Sequence, residues 1–211
     1  MAPKIVDKDA RRLEITRAAA EVFSLKGFQG ASVDDIAEAA GVSKGSLYGY
    51  FKSKEEIFYA TFQAYQAELV QECMQAMESE GTASDKLTAF LMVTVTSLHD
   101  HIEMFPLTLE LWAAASSGPA RERFGSVMES LYREFRGITA GLIELGKAIG
   151  EFREDVEPEA VAAWLVGGLD GLMLQYWFDQ TLDVRHLTEN FLEMVLRGIA
   201  TRTDLEGIID V

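Results

Sequence analysis

SVDDIAEAAGVSKGSLYGYF, residues 32–51, is the stretch on which the reading of this chain turns. Ser32 followed three residues later by Asp35 is a capping box, with Asp in place of the more usual Glu, so a short helix starts at Val33. Gly41 ends it. Ser43 then caps a second short helix running from Lys44 to Phe51. Two short helices across a tight turn, with a preceding helix to cover their inner face, make a helix-turn-helix. In that unit the second helix enters the major groove of DNA and its first residues meet the base edges.

The residue types suit such contacts. Ser43, Lys44 and Ser46 place small or long polar groups at the second helix's start. Gly45 lets the backbone come close, and helix N-termini attract phosphates. Tyr48, Tyr50, Lys52 and Lys54 supply phenol and ammonium donors for the phosphate backbone. Arg11 and Arg12 reach a flanking phosphate from the preceding helix, and Ser32 and Gly49 complete the candidate DNA-binding set. Ile36, Ala37, Leu47 and Phe51 read as core instead, because apolar groups at helical spacing are usually buried.

Outward from this stretch the chain stays helical. Upstream, Ile15, Ala18, Ala19, Val22 and Phe23 repeat with a 3.6-residue period until Gly27. Downstream, Ser53 caps a helix with Glu55 and Glu56 in its first turn and the stripe Phe58, Phe62, Tyr65, Leu69. Further helices are expected over 84–104, from Pro106 to about Ala115, over 120–149, over 159–180 and over 185–202. Ser116 to Pro119 reads as a turn, with Pro119 opening the next helix. No alternating apolar pattern supports a strand, so the fold class is all-α.

Composition bounds the possibilities. Of 211 residues 48% are hydrophobic and 25% charged, which excludes wholesale disorder. No apolar run approaches the roughly 18 residues of a membrane span, and the first residues lack an export pattern, so a cytoplasmic chain without membrane contact is expected. The single Cys73 allows no intrachain disulfide and no cysteine metal cage. The net charge of −15 is unevenly spread. Residues 1–55 carry nine Lys/Arg against eight Asp/Glu, and residues 56–211 carry ten against 26. A polyanion contact is therefore confined to the first quarter of the chain.

Residues 12–58 resemble the DNA-binding domain of TetR-family transcriptional regulators. The matching string runs from Ile15, Ala18, Ala19, Phe23, Gly27 and Phe28 through Ser32-Val33-Asp34-Asp35-Ile36-Ala37 to Ala40-Gly41-Val42-Ser43-Lys44-Gly45-Ser46-Leu47-Tyr48-Gly49-Tyr50-Phe51-Lys52-Ser53-Lys54-Glu55-Glu56-Ile57-Phe58. The resemblance implies an all-helical homodimer of about nine helices per chain. It also implies operator DNA and a small-molecule effector as partners, with residues 1–55 reading DNA and residues 56–211 binding ligand and dimerising. Gly49 departs from the family pattern, which commonly has a larger, DNA-touching residue there, so altered contacts are expected at that position.

An enzymatic reading fares worse. Gly41-Val42-Ser43-Lys44-Gly45 fits the G-x-S-x-G pattern, but a nucleophile elbow needs a strand leading in, and here an Ala-rich helix does. Neither a Walker lysine pattern nor G-x-G-x-x-G occurs. His99 and His101 lie two apart on a helix, facing different ways, so they do not chelate one ion. No catalytic residue, metal or cofactor is expected.

Beyond residue 56, aromatic and Met side chains exceed what a bare core explains. Met92, His99, Phe105, Trp112, Phe124, Tyr132, Phe135, Met173 and Trp177 are the candidates for an effector cavity between helices. They suit a small apolar or aromatic effector, while Arg133 and Arg136 offer an anionic head group a partner. The stretch 159–180 is apolar on nearly every side and must be covered twice. Val161, Trp164, Leu165, Gly168, Leu169 and Leu172, with Phe191 and Val195 of the last helix, are the candidate dimer interface. Asp170, inside that apolar helix, needs a partner if buried. The resulting expectation is a repressor released from its operator by an effector. The alternatives are an activator or co-repressor-dependent regulator, or a helical carrier or enzyme.

Overall fold

A computed structural model describes residues 8–78, 80–116 and 121–201. Nine α-helices occur among the described residues: α1 (Lys8–Gly30), α2 (Val33–Ala39), α3 (Lys44–Leu47), α4 (Lys54–Met77), α5 (Ala83–Asp100), α6 (Phe105–Ser116), α7 (Arg121–Ala148), α8 (Pro158–Phe178) and α9 (Val184–Ile199). A 3₁₀ turn at Ile102–Met104 precedes α6, and the one β pairing among the described residues is an isolated bridge between Phe152 and Ala200. The turn expected at 116–119 lies mostly outside the described residues, as do residue 120 and the final residue of the last expected helix. No described helix is long and apolar enough to cross a membrane.

By contacts the chain forms two compact units. The first takes in Met1–Glu68 and Glu103–Phe124, and the second Leu69–Ile102 and Gly125–Val211. α6 is therefore packed with the N-terminal helices.

In the first unit, caps and glycines set the path. Asp35 Nα–H donates to the Ser32 hydroxyl at 3.1 Å and the Asp35 carboxylate accepts the Ser32 N–H at 2.8 Å, completing the expected capping box. α2 ends in a Schellman turn: Val42 N–H reaches Ala37 O at 2.9 Å, Gly41 N–H reaches Glu38 O at 3.0 Å, and Gly41 takes φ +61°. Gly27, at φ +66°, bends α1 before its last turn. Ile15, Phe23, Ile36, Leu47, Phe51, Ile57 and Phe58 are buried together with Leu107 and Leu111 of α6. Phe58 sits among rings, 5.3 Å edge-on to Phe23, 4.8 Å from Phe28 and 6.0 Å from Phe124.

In the second unit α5 packs along α8 and α9. Leu87, Phe90, Leu91 and Val95 of α5 are buried, as are Phe135 and Ile143 of α7, Met173 of α8 and Leu192 of α9. The link from α7 to α8 ties these helices together. Glu151 accepts the Ala83 and Ser84 N–H groups at 2.8 and 2.9 Å, capping α5 from 67 or more residues away. Phe152 presses its ring so close to Gly146 that a Cβ there would lie 2.1 Å from it. Arg153 N–H donates to Ile199 O and Thr201 N–H to Glu151 O, both at 2.9 Å, closing the link onto the end of α9.

Candidate functional site

The second short helix is shorter than its sequence suggests. α3 stops at Leu47 rather than Phe51 because the chain tightens into i→i+3 bonds: Gly49 N–H donates to Ser46 O at 3.0 Å and Tyr50 N–H to Leu47 O at 2.9 Å. Gly49 thus lies in the turn after the helix, not inside it. A Cβ at that position would stand 3.0 Å from Ser46 O, so the tight turn favours glycine. Ser43 accepts Ser46 N–H at 3.1 Å as the cap. Ser43, Lys44, Gly45, Ser46 and Tyr48 are all exposed, and Tyr50 is half-buried. Lys44 Nζ donates to the Asp34 carboxylate of α2 at 2.8 Å, which raises the lysine's pKa.

Three of the expected phosphate donors have partners within the protein. Lys54 Nζ donates to Phe28 O at 2.7 Å and Ala31 O at 3.0 Å, and stands 4.4 Å over the Phe28 ring. Arg12 donates to Tyr50 O at 2.6 Å, lies 4.1 Å over Phe51 and pairs with Glu56 at 3.5 Å. Arg11 bonds Glu14 and, at 3.4 Å, Ala40 O. Arg12 and Lys54 tie the α1 and α4 ends to the turns around α2 and α3. Lys52 and Ser32 remain exposed, the latter as the α2 cap. Lys26 donates to Asp35 at 2.7 Å, and this bond with those from Ser32 holds the Asp35 carboxyl far below its usual range.

The effector candidates divide between the two units. Phe105, Trp112 and Phe124 belong to the first, and Met92, His99, Tyr132, Phe135, Met173 and Trp177 to the second. Phe105, Phe124, Phe135 and Met173 are buried, and Phe135 packs 5.7 Å from Phe90. The Trp112 indole N–H is buried without an acceptor among the described residues. Tyr132 hydrogen-bonds Asp170, whose carboxyl burial pushes above its usual range. His99 lies 5.0 Å from the Tyr176 ring, with Nδ1 2.8 Å from Asp100, while His101 Nδ1 faces Ser97 O at 3.0 Å. Met92 borders a shallow groove of about 320 Å³ with Ser97, Asp100 and His101, and no other effector candidate lines it.

The family model described as "Bacterial regulatory proteins, tetR family" matches residues 15–61, the helix-turn-helix just described. A second, "BetI-type transcriptional repressor, C-terminal", matches residues 83–197, more than half of the chain. The chain belongs to the TetR family. It is similar to the fatty acid metabolism regulator protein of Bacillus subtilis, 26% identical over 194 residues that span 91% of this chain and 97% of that one. It is 29% identical to the transcriptional repressor KstR2 of Rhodococcus jostii over 195 residues, 92% of this chain and 93% of the relative. Its fold matches the B. subtilis regulator FadR, solved in complex with stearoyl-CoA, with a TM-score of 0.74, 25% identity and coverage of 89% and 98% of the two chains.

This TetR-family chain is a ligand-responsive DNA-binding transcriptional repressor, as the resemblance of residues 12–58 implied. Within one chain, the residues of the expected dimer face differ in burial. Leu165, Leu169 and Tyr176 are buried inside the second unit, whereas Trp164 and Gly168 are exposed and Val161 and Leu172 half-buried. On α9 Phe191 is exposed and Val195 half-buried. A helix apolar on all sides has no periodicity from which to read its inward face. The sequence also held no sign of Glu110, on α6, whose carboxylate accepts Phe28 N–H at 2.7 Å.

Proposed function

We propose that this TetR-family repressor works as a cytoplasmic homodimer that leaves its operator when an acyl or other extended apolar effector binds residues 56–211. The observation that carries the DNA half is the exposed start of α3, where Ser43, Lys44, Gly45, Ser46 and Tyr48 stand together. Two such ends, one per protomer, would enter successive major grooves about 34–36 Å apart. Residues 1–55 are the near-neutral part of the chain and the rest carries the excess acid, so DNA approaches by this end.

The effector half rests on chemistry. Buried Phe and Met side chains suit an apolar tail. The orphaned Trp112 N–H offers a donor to a carbonyl or thioester oxygen. Relatives named for fatty acid metabolism, and one solved with stearoyl-CoA, point the same way. The reading makes the chain a DNA- and effector-binding protein rather than an enzyme. The experiment is to select operator fragments from the source genome, then titrate the complex with stearoyl-CoA, shorter acyl-CoAs and free CoA. Release by acyl-CoAs but not by CoA supports the reading. Operator affinity unmoved by every acyl-CoA overturns the effector class. By linkage, DNA must weaken the effector by the same factor.

A further inference from the structure

We propose that Glu56 is a positioning residue for DNA recognition: together with Arg12 it clamps the main chain of residues 50–52 and so fixes how α3 presents Lys44 and Tyr48. The inference rests on the reading that the exposed start of α3 meets DNA.

α3 cannot hold its own direction. Its four residues, Lys44–Leu47, are too few to persist as a helix alone. Ser43 caps its front and Leu47 buries its inner side. Its rear is fixed by whatever holds the chain after Tyr48.

There the helix has run out, and main-chain groups need partners from elsewhere. Two side chains of other helices supply them. Arg12 of α1 donates to Tyr50 O at 2.6 Å, and Glu56 of α4 accepts Lys52 N–H at 2.8 Å through Oε2. Oε1 of the same carboxylate lies 3.5 Å from the Arg12 guanidinium. The circuit closes: from α1 to Tyr50, along the chain to Lys52, across to α4 and back to α1. Phe51, between the two held residues, is 1% exposed beneath the guanidinium, which lies 4.1 Å from the centre of its ring.

Glu56 also departs from a plain capping box. Ser53 accepts Glu56 N–H at 3.2 Å, which is half of one. In the other half the acid takes the N–H of the cap residue itself. Here it reaches one residue further back, to Lys52. That shift of one residue brings the carboxylate to the turn that ends the reader, and to Arg12.

Charge gives the proposal a distinctive sign. An acid near a site for a polyanion ordinarily weakens binding. As an idle surface charge, Glu56 would lower affinity for every duplex, and its removal would raise it. As a clamp it has to be kept. Without it Lys52 N–H and one side of Arg12 lose their partner, the turn loosens, and contacts that need exact placement slip. Attraction to phosphates, which needs no register, survives.

The test measures fluorescence anisotropy with an operator duplex selected from the source genome and with a random duplex. It uses the full chain, at a temperature where circular dichroism shows each variant folded. Glu56→Ala should weaken the operator complex about tenfold while affinity for the random duplex holds or rises. Glu56→Gln keeps an acceptor for Lys52 N–H and should lose only about threefold. Arg12→Lys keeps the charge but not the planar fork that serves Tyr50 O and Glu56 together, so it should lose as much as Glu56→Ala. If Glu56→Ala does not fold, Glu56→Gln and Arg12→Lys carry the comparison. Arg12→Ala combined with Glu56→Ala should lose less than the sum of the two single losses. Affinity for both duplexes rising together in Glu56→Ala makes Glu56 an idle charge and overturns the clamp. Additive losses overturn it too, as does an Arg12→Lys that binds like the parent, the behaviour of a plain phosphate contact. Lys44→Ala, run alongside, separates the two failures. If it weakens the operator complex and the clamp variants do not, the clamp falls and the reading of α3 stands. If none of them weakens it, the reading of α3 falls as well.

Discussion

Glu110 of α6 accepts the Phe28 N–H at 2.7 Å, and its other oxygen lies 3.0 Å from where Gly27 would carry a Cβ. From the opposite side Lys54 holds Phe28 O and Ala31 O. The last turn of α1 is thus gripped by an acid and a base from two helices, one residue before the Ser32 cap that starts α2. We expect Glu110→Ala to cost about 1.5 kcal/mol, the value of a hydrogen bond to a charged group. It should also loosen the start of α2 and so weaken operator binding beyond the stability loss. Melting temperature and gel-shift affinity, measured on the same preparations, check both. Operator affinity equal to the parent's would leave Glu110 as a stability contact only.

Lys44 and Asp34 form an ion pair at the exposed start of α3, the end that we propose faces DNA. On DNA the lysine must exchange its carboxylate for a phosphate. Lys44→Ala should weaken binding to all sequences and lower the slope of log affinity against log salt by about one. Asp34→Asn should do the reverse, raising non-specific affinity because Lys44 is then free. Fluorescence anisotropy with operator and random duplexes at several salt concentrations reads both effects.

Ser32 contributes through its cap. Ser32→Ala should remove about 1 kcal/mol of stability. The Asp35 carboxyl is held far down by Lys26 first and Ser32 second. Its contribution is therefore present above the ordinary carboxylate range and disappears as pH falls through its low native value. Ser32→Ala should shift the onset of acid unfolding to higher pH, as a pH series of thermal melts would show.

Asp170 has the opposite sign. Burial raises its pKa, the Tyr132 hydrogen bond only partly countering it. The folded chain holds this proton more tightly than the unfolded one, so stability falls as pH rises from the unfolded value through the folded one. Asp170→Asn keeps an acceptor for Tyr132 and removes the charge. We expect no gain near pH 3 and a melting temperature a few degrees higher at neutral pH. An equal shift at both pH values would mean that ionisation is not the cause.

The reader was legible because local rules dictate it. Ser32, Asp35, Gly41 and Ser43 act within a few residues of themselves, and each does in space what its type and spacing announce. Lys54 and Arg12 were not legible as struts, since a Lys or Arg beside a DNA-binding helix looks the same whether it meets a phosphate or a carbonyl 26 or 38 residues away. The Glu110 contact spans 82 residues, and nothing near either end marks it. The inward face of α8 was hidden for another reason: with apolar groups all round, only its neighbours decide which side is covered. The length of α3 turned on Gly49, whose place in a helix or in the turn after it depends on one hydrogen bond.

The two ways in which the units close bear on how the protein is made. The first unit takes in no residue beyond Phe124. The second is fastened by Glu151 on the first turn of α5 and by Thr201 on Glu151, so its seam runs to the end of the described chain. During synthesis N-terminal units tend to fold first. The DNA reader can therefore be complete on the ribosome while the regulatory half is still an open set of helices awaiting its last strap. A polypeptide released before Glu151 would carry the helix-turn-helix unit without a closed second unit, and so without the half that we propose pairs two chains and answers the effector.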